Sequence, residues 1–207
     1  MPVYRASAFR LTVFLLAAVA AFPCWPIATL AQSAASHVTL ELDPSQSKIN
    51  WTLSATFHTV HGTFALTKGN IQFDPASGKA GGEIIADARS GESGDAGRDK
   101  NMHAKVLESA KYPVVTFSPD RVDGKVSLQG ASKVKIRGIF ELHGAKHELT
   151  VPAEVNFSED RWVAKAAFDI PYVQWGMKDP SSFMLRVGAT VDVELELAGR
   201  AVFPHAN

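Results

Sequence analysis

The sequence is poor in the residues that staple a fold or give it a strong charge. It has a single cysteine, Cys24, in 207 residues, so neither a disulfide framework nor a cysteine-built zinc site is open to it. No sign of charge dominates, because 21 Lys and Arg stand against 21 Asp and Glu. That balance excludes a nucleic-acid binder working through a strongly basic face. No apolar run reaches the roughly 20 residues a membrane-spanning helix needs. The chain also lacks a Gly-x-Ser-x-Gly elbow, a Gly-x-Gly-x-x-Gly turn and a phosphate-cradling Gly-Lys-Ser/Thr loop, which removes the usual signatures of serine hydrolases and nucleotide binders. What it does have is 46% hydrophobic residues, enough to build a core.

Arg5 and Arg10 precede the short apolar run Leu11 to Phe22, which stops at Pro23 and Pro26. A basic start, a short apolar stretch and small residues after it read as a secretory signal over 1–31. Cleavage is expected after Ala31 (Thr29-Leu30-Ala31), with Ala35 (Ser33-Ala34-Ala35) as the alternative. Phe22-Pro23 precedes Cys24 where lipid acylation wants small residues, so an acylated cysteine is not expected. An uncleaved anchor is the competing reading. Residues 32–207 then form one thiol-free, nearly neutral domain, periplasmic or secreted, with no stable membrane insertion after cleavage.

Beyond Ser36 the dominant pattern is alternation of apolar and polar residues, broken by Gly, Pro and Asp turns. Ile49, Trp51, Leu53, Ala55 and Phe57 alternate with polar neighbours. So do Val134 to Leu142, Leu149 to Phe157, Trp162 to Ile170 and Leu185 to Leu197. Shorter candidates are Thr63–Thr67, Asn70–Phe73, Glu83–Ala88, Val114–Ser118 and Lys125–Leu128. One apolar and one polar face per strand is the habit of antiparallel sheets with a solvated side. Residues 95–110 differ: Met102, Val106 and Ala110 share a stripe at spacing four, which predicts one or two helical turns before Tyr112-Pro113. About nine strands exceed one comfortable open sheet, so closure into an antiparallel β-barrel is predicted. The inward aromatics are Trp51, Phe57, Phe64, Phe117, Phe140, Trp162 and Phe168, mixed with small Gly138, Ala164 and Ala166. Periodicity alone leaves open whether they fill a core or line a cavity.

Several stretches, in order, resemble the YceI-like family of exported proteins. His58-Thr-Val-His-Gly-Thr-Phe64 is followed by Gly69-Asn-Ile-Gln-Phe-Asp74. Arg98-Asp99 precedes Lys111-Tyr-Pro-Val-Val-Thr-Phe117. Ile136-Arg-Gly-Ile-Phe-Glu-Leu-His-Gly-Ala-Lys-His147 and Trp175-Gly176 complete the set. Met102 to Ser109 and Asp179-Pro-Ser-Ser-Phe183 depart from the family's pattern and mark a divergent branch. The resemblance implies a lipocalin-like barrel with a small helical segment, holding an isoprenoid or isoprenoid quinone inside and using no other cofactor. The aromatics above would be its walls, and His58, Arg98 and Asp99 the polar candidates at its mouth. About 15 buried carbons would supply about 12 kcal/mol before ordering costs.

The expected function is thus a non-catalytic carrier or store of an apolar lipid, compatible with a homodimer. Two other readings compete. A metal protein or enzyme would use His58, His61, His103, His143 and His147, although parity sets His58 and His61 on opposite faces. A barrel with a filled core would serve as a stress or interaction protein and bind no lipid. Arg98-Asp99 is expected to be structural, with Asp99 receiving backbone N–H groups at a helix start and Arg98 bridging to a strand end.

Overall fold

The computed structural model describes residues 37–204. The expected signal at 1–31 and both expected cleavage positions lie outside the described residues. Nine strands follow in chain order: β1 (Val38–Leu42), β2 (Lys48–Ser54), β3 (Thr59–Phe73), β4 (Ala80–Glu92), β5 (Val114–Asp123), β6 (Gly130–Leu142), β7 (Ala145–Ser158), β8 (Arg161–Ile170) and β9 (Val191–Val202). From β2 to β9 each strand pairs antiparallel with the next, and β9 returns to pair with β2. The result is a closed eight-stranded barrel, which leaves no exposed edge.

The ninth strand, β1, shares a stave with β2. It lies between the far half of β3, with Val38 opposite Phe73, and the end of β9, with Leu42 opposite Gly199. β2 takes the other halves of the same two neighbours. The break between them is a single 3-10 turn, Pro44–Gln46, whose start is fixed by Asp43. Its carboxylate accepts from the Ser45 N–H at 3.0 Å and from Gln46 Nε2 at 2.7 Å. The Asp43 N–H in turn donates to the Ala198 carbonyl at 2.8 Å and keeps the stave on β9.

Strand faces follow the alternation closely. Along β7, Val151, Ala153, Val155 and Phe157 are buried while Thr150, Pro152, Glu154 and Asn156 are exposed. Four expectations change. Thr63–Thr67 and Asn70–Phe73 merge into the single strand β3, which absorbs its irregularities as register shifts against β4. Lys125–Leu128 forms no strand; Val126 and Leu128 pack against the core instead. β9 starts at Val191 rather than Leu185. β1, too short to announce itself, brings the count back to nine.

The barrel is filled at one end and hollow at the other. Val38, Phe157, Trp162 and Ala201 belong to the cluster that closes the end where β9 finishes. At the opposite end Phe140, Leu142, Ile170, Tyr172 and Met177 form a second cluster. That end carries the β2–β3 turn, the β6–β7 turn and two longer links. The first link holds the helix α1 (Ala96–Asn101), which runs on as a π turn, Met102–Val106. The second, residues 171–190, forms a strap that leads into β9.

Candidate functional site

Between the filled end and the two links lies an apolar cavity of about 730 Å³, well within the range of small-molecule sites. Its walls come from every stave of the closed ring: Trp51 on β2, Phe64 on β3, Ala86 on β4, Phe117 on β5, Phe140 on β6, Ala153 on β7, Phe168 on β8 and Val193 on β9. Large rings and small residues are mixed around it. Trp51 is 6% exposed and lies across Gly62, its cross-strand partner on β3. A side chain at Gly62 would meet the indole ring at 2.3 Å, so this glycine is what lets the ring lie flat against the wall.

Of the seven aromatics read as lining, Trp51, Phe64, Phe117, Phe140 and Phe168 stand on the cavity wall. Two do not. Phe57 is 79% exposed, because β2 ends at Ser54 and the chain has already turned. Trp162 is inward and 4% exposed, but it sits in the packed end, where its Nε1 donates to the Arg200 carbonyl at 3.2 Å. Gly138 is not on the wall either. A Cβ there would strike the Ser118 carbonyl at 2.4 Å, so its lack of a side chain serves the close approach of β5. Ala164 and Ala166 do line the cavity.

The helical link presents Arg98, Asn101, Met102, Lys105 and Val106 to the cavity, the three-and-four spacing of one helix face. Ala110 leaves that stripe and is exposed, since the helix has ended and Glu108 takes a left-handed φ of 44°. Asp95, not Asp99, caps the helix: its carboxylate accepts from the Arg98 N–H at 2.8 Å. Asp99 accepts instead from the Ser93 hydroxyl. Arg98 donates through Nε to Ser93 Oγ at 2.7 Å and through Nη2 to the Ser93 carbonyl at 2.9 Å. Arg98 therefore bridges to the end of β4 as expected, while Asp99 is one step from the cavity and does not line it.

The histidines are dispersed. His58 lines the cavity at its rim, and His61 lies outside it, with Nδ1 3.1 Å from Thr52 Oγ1. His103 pins the helical link, with Nε2 2.8 Å from the Gly91 carbonyl and Nδ1 2.9 Å from the buried Ser109 hydroxyl. The carbonyl can only accept, so Nε2 carries the proton and Nδ1 accepts when the ring is neutral. His143 approaches Glu108 at 2.7 Å, and His147 stacks on Trp175 at 3.9 Å between ring centres. Among the described residues no three His, Cys, Asp or Glu gather as a metal site.

The strap supplies wall residues that alternation could not reveal, among them Tyr172, Met177, Lys178 and Pro180, beside Leu185 and Val187, which the alternation includes. It turns sharply at Gly176, whose φ of 91° suits glycine, and this sets the Trp175 ring on His147. Tyr172 donates its hydroxyl to the Gly188 carbonyl at 2.8 Å, tying the start of the strap to its end. Burial, helped by the negative Asp179, pushes the Tyr172 phenol from 10.0 up to about 12. The folded chain therefore holds this proton more tightly than the unfolded chain. Stability from the group is intact below pH 10 and is lost as the pH climbs toward 12. In an ultraviolet titration one phenolate should appear only near pH 12, and Tyr172→Phe should remove that late step. Complete ionisation in the ordinary tyrosine range would show the hydroxyl to be free.

The YceI-like domain matches residues 40–199. Solved structures that share the fold include three from different bacteria. A polyisoprenoid binding domain from Saccharophagus degradans, implicated in plant cell wall breakdown, is 18% identical, with a TM-score of 0.62 over 79% of this chain and 98% of that one. BcnA from Burkholderia cenocepacia is 17% identical, with a TM-score of 0.63 over 76% and 99%. A YCEI protein from Campylobacter jejuni is 18% identical, with a TM-score of 0.58 over 70% and 86%. Among curated proteins, none matches this chain.

Proposed function

The chain belongs to the YceI-like domain family, and from that premise we propose that it is an exported carrier or store of an apolar, isoprenoid-type lipid held inside the barrel without chemical change. The observation that carries the reading is the cavity of about 730 Å³ walled by Trp, Phe, Leu, Ile, Val and Ala side chains. At about 24 cal/mol per Å³, filling such a space with side chains would add on the order of 18 kcal/mol, at least the whole stability of a typical domain. A sequence that sets Ala86, Ala88, Ala153, Ala164 and Ala166 around this space forgoes that stabilisation. A container has reason to do so, and a filled-core barrel does not.

The ligand class is argued from shape and chemistry together. The cavity runs from the rim to the packed end, so a long apolar chain fits better than a compact polar molecule. A polyisoprenoid binding domain stands among the structures that share the fold. Polar groups that reach the cavity, chiefly His58, Arg98, Asn101, Lys105, Lys178 and Asp179, come from the rim and its two links. A quinone or other polar head would therefore sit at the rim with its tail below. Histidine-based chemistry is the weaker reading, because the histidines do not converge.

The test is native mass spectrometry with organic extraction on untagged protein recovered after export by the cell that makes it. A co-purifying mass of several hundred daltons, extractable into organic solvent, is expected. A bare polypeptide at every preparation would favour an interaction protein, and a stoichiometric metal adduct would favour the histidine reading.

A further inference from the structure

We infer that the rim of the barrel is a docking surface for an anionic lipid bilayer. Two neighbouring turns build it. In the first, the Ala55 N–H donates to the His58 carbonyl at 3.0 Å, and Phe57 stands at the corner, 79% exposed. In the second, the Ser182 N–H donates to the Leu185 carbonyl at 2.8 Å. Its corners are Phe183, 100% exposed, and Met184, 79% exposed. The turns are tied together: the Thr56 N–H donates to the Arg186 carbonyl at 2.9 Å, and the Arg186 N–H donates to Thr56 Oγ1 at 2.8 Å.

Turn corners are ordinarily Gly, Pro, Asn, Asp or Ser, because those residues suit both the backbone and water. Phe57, Phe183 and Met184 do not suit water, and they are the three most exposed large hydrophobics among the described residues. They also flank the opening, since Ala55, His58, Ser181, Leu185 and Val187 line the cavity beside them. The charges point to the same surface. The charged residues on the cavity lining are Arg98, Lys105, Lys178 and Asp179. Three are cations, and none of the three is in an ion pair among the described residues. An apolar tip beside basic groups is the chemistry that seats on anionic headgroups. Docked this way, the opening faces the bilayer and a long apolar ligand passes without crossing water. That purpose rests on the carrier reading; the docking itself does not.

The test is co-sedimentation with vesicles of equal parts phosphatidylglycerol and phosphatidylcholine, and with vesicles of phosphatidylcholine alone. Parent protein is compared with Phe57→Ser/Phe183→Ser/Met184→Ser and with Lys105→Gln/Lys178→Gln. All share one N-terminus, so residues 1–36 contribute equally to each. The serine variant should bind the anionic vesicles roughly tenfold more weakly or worse, since each change removes apolar contact with the bilayer. The glutamine variant should lose the preference for anionic over neutral vesicles. Equal binding by the folded parent and serine variant, or no binding by the parent, overturns the inference. So does a concentration-dependent dimer that the serine variant abolishes while vesicles are ignored, since the rim would then be a contact between copies. Native mass spectra of the same samples keep the two readings apart: vesicle binding by protein that never carries lipid leaves docking standing and removes the carrier.

Discussion

Ala166→Phe protein is expected to fold and yet to hold its ligand roughly 10³-fold more weakly. Ala166 lies midway along β8, opposite Ala153 on β7 and Leu195 on β9, and all three line the cavity. A phenylalanine there sends about six more carbons into the space a ligand tail would use. At ~0.8 kcal/mol per displaced carbon the loss is about 5 kcal/mol, equivalent to that change in affinity. Folding should survive because the ring enters a cavity and not a packed wall. Ala167→Phe is the matched control: Ala167 is the next residue on the same strand, faces outward and is exposed. Circular dichroism reports the fold, and native mass spectrometry with extraction reports the lipid. A folded Ala166→Phe protein carrying parental amounts of lipid would move the ligand out of the barrel.

The difference between Ala166 and Gly138 shows what alternation in a sequence can reveal. Parity assigns a residue to the inner or outer face of a strand, and it placed Trp51, Phe64, Phe117, Phe140 and Phe168 on faces that now border one cavity. Height along the barrel axis is a different coordinate. Strand tilt and stagger set it, and no single strand carries that information. Trp162 has the right parity and the wrong height, so it packs in the closed end. Phe57 fails for another reason: the β2–β3 turn has Thr56-Phe57 at its centre instead of an Asn-Gly signal, so the apolar rhythm runs on through the corner. The helical link was legible because its stripe has its own period. Of the strap only Leu185 and Val187 were legible, as the start of the closing alternation; the stretch before them has no period, and its wall residues reach the cavity around a turn at Gly176.

A common division runs through both the fold and the site. The end built from Phe157, Trp162 and Val38 is packed, as a stable domain requires. The rim end keeps its volume open and is held by side chains that bond backbone: His103 to Gly91, Arg98 to Ser93, and Tyr172 to Gly188. These bonds fix two irregular links over an opening without filling it. Surface ion pairs such as Lys68–Glu83 and Lys165–Glu196 lie on the outer wall, where each is worth about 0–1 kcal/mol. They decide neither the closure of the barrel nor the cavity.

Closure does depend on Gly138, and Gly138→Ala is expected to destabilise the domain by about 3 kcal/mol or more. Gly138 pairs with Pro119 on β5, where the register shifts by one residue before Arg121 meets Arg137. Proline brings no N–H to the ladder, so the two backbones approach without the usual exchange of hydrogen bonds. An added Cβ would lie 2.4 Å from the Ser118 carbonyl oxygen and 2.8 Å from the Pro119 Cα. Both are backbone atoms and cannot rotate aside, so β5 must move away from β6 and open the barrel at that seam. The neighbouring Arg137–Asp120 pair, at 2.9 Å and half exposed, is too weak to hold the seam shut. Gly81→Ala gives the contrast, because a Cβ there meets nothing within 4 Å. It should be neutral or stabilise by up to about 1 kcal/mol through the unfolded chain. Denaturant midpoints of the two variants decide the matter: equal stability would mean that β5 slides freely over β6 and that the seam is not what closes the barrel.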